Sequence, residues 1–131
     1  MFTKPLLKEI FWLSVLIASL HYIALTLYLY WTVSWFDIGM HLLGGFILGL
    51  IAVFIISNFL NTEIKSNKKV AVLLVLSFVM VIGLGWELWE LFVGLTNVIE
   101  HKLDTVIDVI MDFIGGYFAF LYGKKHLWKE N

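Results

Sequence analysis

Four apolar stretches, residues 10–31, 37–60, 70–94 and 103–123, dominate this chain. Each is long enough to cross a hydrocarbon core that needs about 20 helical residues. With 61% hydrophobic residues and a mean hydropathy of +0.93, the chain lies far from an ordinary soluble domain, in which about half the residues are apolar. It reads as an all-α integral membrane protein of four transmembrane helices, a single transmembrane domain over residues 1–131, multi-pass in the cell membrane. Only short loops and tails remain between the spans, with no soluble module, low-complexity linker or internal repeat.

Lys4 and Lys8 precede the first span as they would a secretory signal, but its length and the lack of a small-residue cleavage site favour a retained helix. Cysteine is absent, which excludes disulfides, thiolate metal sites and cysteine nucleophiles together. All nine basic residues are lysines. Lys4 and Lys8 precede span one, Lys65, Lys68 and Lys69 lie in the loop after span two, and Lys124, Lys125 and Lys129 follow span four. Four spans put these segments on one side, which the positive-inside rule makes cytoplasmic, so both termini are expected inside. Tyr28, Tyr30, Trp31 and Trp35 then mark the outer interface, and Trp12 and Trp128 the inner one.

Seven ionisable residues lie within the last three apolar stretches: Asp37 and His41, Glu87 and Glu90, then Asp104, Asp108 and Asp112. An ionised group at mid-bilayer costs roughly 2.5 kcal/mol or more, so such residues face a bundle interior or a watery cavity and act there. Alternating span directions bring all three sets into the outer half at similar depth. Within each set the spacing of three or four places the residues on one helical face. Six carboxylates without a nearby arginine cannot all be ionised in a low-dielectric layer, so either protons are held or a metal is. Oxygen donors with one imidazole suit Mg²⁺, Mn²⁺ or Ca²⁺, with Zn²⁺ or Fe²⁺ admitted through His41. The expected metal ligands are Asp37, His41, Glu90, Asp104, Asp108 and Asp112, and Glu87 or Glu90 is the expected general base. The helical di-iron pattern of two Glu-x-x-His repeats is not met, because Glu90 follows Glu87.

The same residues admit structural roles. Asp37 and Asp104 can cap solvated helix starts. Glu87, Glu90, Asp108 and Asp112 can form protonated interhelical hydrogen bonds. His21, without an acidic neighbour at helical spacing, reads as packed or hydrogen-bonded, and Glu100 and His101 as solvated loop residues that alternatively lid the site. Gly45 and Gly49, with Ser14 and Ala18 on span one, form small faces that permit close helix approach. Gly83, Gly85, Gly115 and Gly116 read first as packing positions, with a loosened helix beside Glu87 as the alternative.

Three segments carry a resemblance: DIGMHLLGG from Asp37, ELWE from Glu87, and DTVID from Asp104 leading to DFIGG from Asp112. Their order and spacing resemble the YjdF-like family of small bacterial membrane proteins and, more distantly, the VanZ-like family. The match covers spans two to four, while span one matches in hydrophobicity alone. The VanZ-like pattern often carries an arginine near the third motif and an asparagine where Asp112 stands; this chain has neither, so its site is the more acidic. The resemblance implies a bacterial-type multi-span envelope protein with a shared polar site and supplies no reaction.

The leading expectation is a membrane protein that binds a divalent cation, Mg²⁺, Mn²⁺ or Zn²⁺, and acts on an envelope lipid or its headgroup. Lys102 is the one basic residue near enough to help hold a phosphate. The alternatives are a proton- or cation-coupled transporter and a non-catalytic scaffold whose polar layer fixes helix pairing. Against the transporter, the inner halves of the spans are almost purely apolar, although a homo-oligomer could supply a path. Membrane lipids are the expected partners, and nothing points to nucleic acid.

Overall fold

The computed structural model describes residues 4–94 and 98–128, with side chains over 5–94 and 104–128. The expectations placed on Lys4, Glu100, His101, Lys102 and Lys129 lie outside the described side chains. The elements run α1 (Lys4–Thr26), α2 (Leu29–Thr32), α3 (Phe36–Phe59), α4 (Thr62–Ser66), α5 (Lys68–Val93) and α6 (Val98–Leu127), with no strand among the described residues. Four of these, α1, α3, α5 and α6, are long and apolar enough to cross a membrane. The 24 residues of α3 span roughly 36 Å against a core of about 30 Å.

The first long helix stops at Thr26, short of the 31 expected from hydropathy. The Thr26 hydroxyl donates back to the Ile23 carbonyl at 2.9 Å, Tyr28 takes a left-handed backbone at φ 56°, and the chain resumes as the single turn α2. Hydropathy averaged over a window cannot register a stop made by one residue's backbone. Elsewhere the boundaries follow side-chain chemistry. The Asn61 side chain accepts the Ile64 N–H at 2.9 Å to cap α4, and Asn67 accepts those of Lys69 and Val70 to cap α5. Gly94, at φ 72°, closes α5 in the left-handed conformation that glycine adopts at least cost.

The central helix is α3, which packs against α1, α5 and, most extensively, α6. Small residues make this possible. A Cβ on Gly45 would collide with the Asp112 backbone, one on Gly49 with Ala119, and one on Gly115 with the Leu42 carbonyl. Between helices in lipid, where burial from water is no driving force, such close approach maximises dispersion contact. The packing role read for Gly45, Gly49, Gly115 and Gly116 holds, whereas a Cβ on Gly85 would meet nothing within 4 Å.

An apolar core, including Leu50, Val53, Ile56, Val75 and Ala119, fills the end of the bundle that also contains Leu6 and Leu127. Two polar ties hold that end: the Tyr122 hydroxyl donates to Glu9 at 3.0 Å, and the Trp128 indole N–H donates to the Lys65 carbonyl at 2.7 Å. Lys68 lies over the Trp128 ring and Lys125 over Tyr122, so four spans gather lysines from separate segments at one end. Large apolar side chains such as Phe11, Leu73, Val81 and Phe92 cover the outside of the bundle, as a lipid environment requires.

Candidate metal centre

The opposite half of the bundle is organised around His41. It projects from the second turn of α3 and is only 7% exposed. Its Nε2 faces three carboxylates from three helices: Glu87 Oε1 of α5 at 3.7 Å, Asp108 Oδ2 of α6 at 3.8 Å, and Asp37 Oδ1 one turn earlier on α3 at 3.8 Å. At 3.7–3.8 Å these contacts are too long for hydrogen bonds. On the other ring nitrogen, Nδ1 lies 3.3 Å from Asp112 Oδ1 of α6. In the Nδ1–H tautomer the imidazole donates to Asp112, leaving the Nε2 lone pair aimed into the gap between the other three acids.

That gap is the chemical centre of the site. Glu87, Asp108 and Asp112 are each at least 96% buried, and Asp37 is half-buried at the outer edge. Thr105 donates to Glu87 Oε2 at 2.8 Å, but Glu87 Oε1 and Asp108 Oδ1 have no hydrogen-bond partner among the described residues. Two buried carboxylate oxygens without a donor, beside one imidazole lone pair, form a set of acceptors suited to a cation or a shared proton. One donor atom each from Asp37, His41 and Asp108 fall within 4.8 Å of one another, so this trio can hold a metal ion. Bound at about 2.0–2.2 Å, an ion sets neighbouring donors roughly 3–3.5 Å apart; the His41 contacts to Asp37 and Asp108, at 3.8 Å each, are wider, so the side chains would close in on a bound ion. Hard oxygen donors with one imidazole remain compatible with Mg²⁺, Mn²⁺ or Zn²⁺.

Of the residues singled out from the sequence, the structure brings Asp37, His41, Glu87, Asp108 and Asp112 together. Asp112 bonds the ring nitrogen remote from the trio, the position of an orienting partner. Glu90 and Asp104 stand outside the ring. Three residues along a helix advance the side chain by 300°, so with Glu87 facing His41, Glu90 turns aside by about 60°. There its Oε1 accepts the Trp86 indole N–H at 2.9 Å. Asp104 is exposed one turn above Asp108.

Spacing alone did not reveal Thr105, Gly83, Tyr30 or Trp86. Thr105 lies three residues before Asp108, a spacing that put it on the acid face but gave no sign of its bond to Glu87. A Cβ on Gly83 would strike the Asp112 carboxylate, so this glycine makes room for the acid that orients His41. His21 is hydrogen-bonded, as expected, with its Nδ1 2.7 Å from the Tyr30 hydroxyl. Burial, then the nearby Asp37 and Glu90 carboxylates, push the Tyr30 phenol up to about 12, so it stays protonated and able to donate. Toward α1 the acid ring opens into a cavity of about 380 Å³ between α1, α3 and α5, with Asp37, His41, Glu90 and Asp112 on its polar wall.

No match was found among curated proteins or among solved structures. The sequence profile of the predicted membrane protein family DUF2238 matches residues 2–129, nearly the whole chain. With the YjdF-like proteins within that family, and four apolar helices enclosing a His41-centred acid cluster, the chain belongs to the DUF2238 family of predicted membrane proteins.

Proposed function

We propose that this protein holds a divalent cation inside the membrane through Asp37, His41 and Asp108, with Glu87 beside the ion, and acts there on the headgroup of an envelope lipid. The observation that carries the reading is the convergence of three carboxylates on one imidazole nitrogen at 3.7–3.8 Å, with two buried oxygens left unsatisfied. Metal-ligating histidines characteristically donate their second ring N–H to a carboxylate, and Asp112 stands in that position. The distant VanZ-like likeness of the same motifs, and lysines that favour an orientation with this site in the outer half, support an envelope role.

A divalent ion in this place supplies Lewis-acid polarisation of a phosphoryl or carbonyl oxygen. The chain's own residues supply the rest. Asp112 fixes the imidazole tautomer, Thr105 holds one oxygen of Glu87, and the other oxygen is left to accept a proton as general base. Transport is less well supported, because the buried core beyond the site is apolar at Leu50, Val53 and Val75.

The test is equilibrium dialysis of purified, chelator-stripped protein against Mn²⁺, Mg²⁺ and Zn²⁺. About one ion per wild-type chain is expected, with Asp108→Asn binding at least about tenfold more weakly. Equal uptake by both proteins, or none by either, overturns the reading.

A further inference from the structure

The cavity beside the acid ring has two chemically different ends. Apolar side chains form its body, among them Ile17 of α1, Ile47 and Leu48 of α3, and Ile82 of α5. Its other end carries three aromatic rings and two carboxylates that play no part in packing the core: His21, Tyr30 and Trp86 with Asp37 and Glu90. The rings form a connected wall, His21 to Tyr30 at 5.6 Å and His21 to Trp86 at 6.2 Å between centroids. The Trp86 indole edge bonds Glu90, which fixes the ring and the acid relative to each other. Among the described residues no lysine or arginine lines the cavity; its basic groups are the imidazoles of His21 and His41, and His41 faces Asp37 and Asp112 and leaves the Glu90 side of the wall to the aromatic rings.

We propose that this cavity binds one hydrocarbon chain of a membrane amphiphile whose ammonium headgroup sits in the cage of Trp86, Tyr30, Asp37 and Glu90. This extends the lipid-headgroup reading above and rests on it for the reaction; the cavity shares Asp37 and His41 with the metal trio, while Trp86, Tyr30 and Glu90 belong to the cage alone.

Charge and shape both select this occupant. Aromatic faces and carboxylates arranged around one space attract organic cations and disfavour anions. The size lies within the range of about 300–1,000 Å³ typical of small-molecule sites. Access is lateral. Helix α1 packs on α3 without an extensive contact on α5, and Ala18, Ile82 and Trp86 at the cavity's edges are exposed where the bilayer's chains would lie. A lipid sliding between α1 and α5 therefore keeps its chain in an apolar medium throughout, while its headgroup stays at the level of the aromatic belt. Gly44 forms part of the α3 wall, and a Cβ there would meet only the tip of Ile17 at 3.7 Å, so a large side chain at this position would project into the cavity instead of clashing with backbone.

The test is native mass spectrometry of the purified full-length chain with two single-chain lipids that share a phosphate and an acyl chain: lysophosphatidylethanolamine and lysophosphatidylglycerol. Wild type is expected to retain the ethanolamine lipid about tenfold more tightly, the value of a partly desolvated cation–aromatic contact. Trp86→Leu and Glu90→Gln are expected to lose most of that preference, and Gly44→Phe to weaken both lipids alike by filling the cavity. Asp108→Asn, outside the cavity lining, is expected to keep the preference, and Glu90→Gln to keep metal uptake, so failure of the cage and failure of the metal centre are told apart. Equal retention of the two lipids by wild type overturns the proposal. So does a preference that survives in both Glu90→Gln and Trp86→Leu, with monodisperse elution and helical circular dichroism showing that each variant is folded.

Discussion

Asp112 Oδ1 lies 3.3 Å from Nδ1 of His41, a contact that joins α6 to α3 and selects which imidazole nitrogen faces the other acids. Asparagine at 112 keeps an oxygen that can accept the N–H but loses the negative charge that makes the opposite nitrogen a better donor to a metal. Asp112→Asn is therefore expected to fold and to bind Mn²⁺ about ten- to a hundredfold more weakly, measured by dialysis. Unchanged affinity would remove Asp112 from the site.

Gly83 tests the same contact from the other side. An alanine there would strike the Asp112 carboxylate, a movable side chain, whereas a leucine at Gly49 would drive into Ala119 and the α6 backbone at Gly116. Gly83→Ala should weaken metal binding with little change in thermal stability. Gly49→Leu should cost about 1–3 kcal/mol or more through overpacking, seen as a lowered melting midpoint in detergent. If the two variants show the reverse pattern, Gly83 is a packing glycine only.

The carboxylates around His41 repel one another when ionised, so an ion that binds them stabilises the folded chain. About 2.7 kcal/mol is expected at a hundredfold excess over the dissociation constant. Thermal unfolding in detergent, with chelator and then with Mn²⁺, Mg²⁺ or Zn²⁺ at near-neutral pH, reads this directly. Asp108→Asn is expected to show no metal response. Identical wild-type melting in chelator and in every metal would return the acids to the role of protonated helix contacts.

Orientation is tested independently, because the chain contains no cysteine of its own. Ser34 lies between α2 and α3 and Ser66 at the end of α4, and both are exposed. An impermeant thiol reagent added to intact cells should label Ser34→Cys and spare Ser66→Cys. The opposite pattern would put the His41 cluster in the cytoplasmic half and make an envelope-lipid role untenable.

Depth and helical face were legible in the sequence. The four-residue steps from Asp37 to His41 and from Asp104 to Asp108 to Asp112, the Glu87–Glu90 pair, and alternating span directions were enough to bring acids from three helices to one level. Rotation between helices was not legible. Whether Glu87 or Glu90 meets His41 depends on a turn of about 60°, which periodicity cannot fix because it is set by contacts of α5 with its neighbours. The early end of α1 was hidden for a related reason. Residues 27–31 are as apolar as a span, and the left-handed backbone at Tyr28 that releases Tyr30 toward His21 leaves no trace in hydropathy. Trp86 and Glu90 stood at the helical spacing of four, yet only the folded chain revealed that they share a cavity with residues of α1 and α2.

The central claim is that the Nε2 face of His41 ligates a divalent cation within the membrane. Pulsed electron paramagnetic resonance of Mn²⁺ added to the chelator-stripped protein measures it most directly, through the nitrogen modulation that a coordinated imidazole imposes on the electron spin echo. The account predicts bound Mn²⁺ with coupling to about one histidine nitrogen, lost in His41→Gln and retained in His21→Gln. Free Mn²⁺ only, or a bound ion whose spectrum is the same in wild type and His41→Gln, would contradict it.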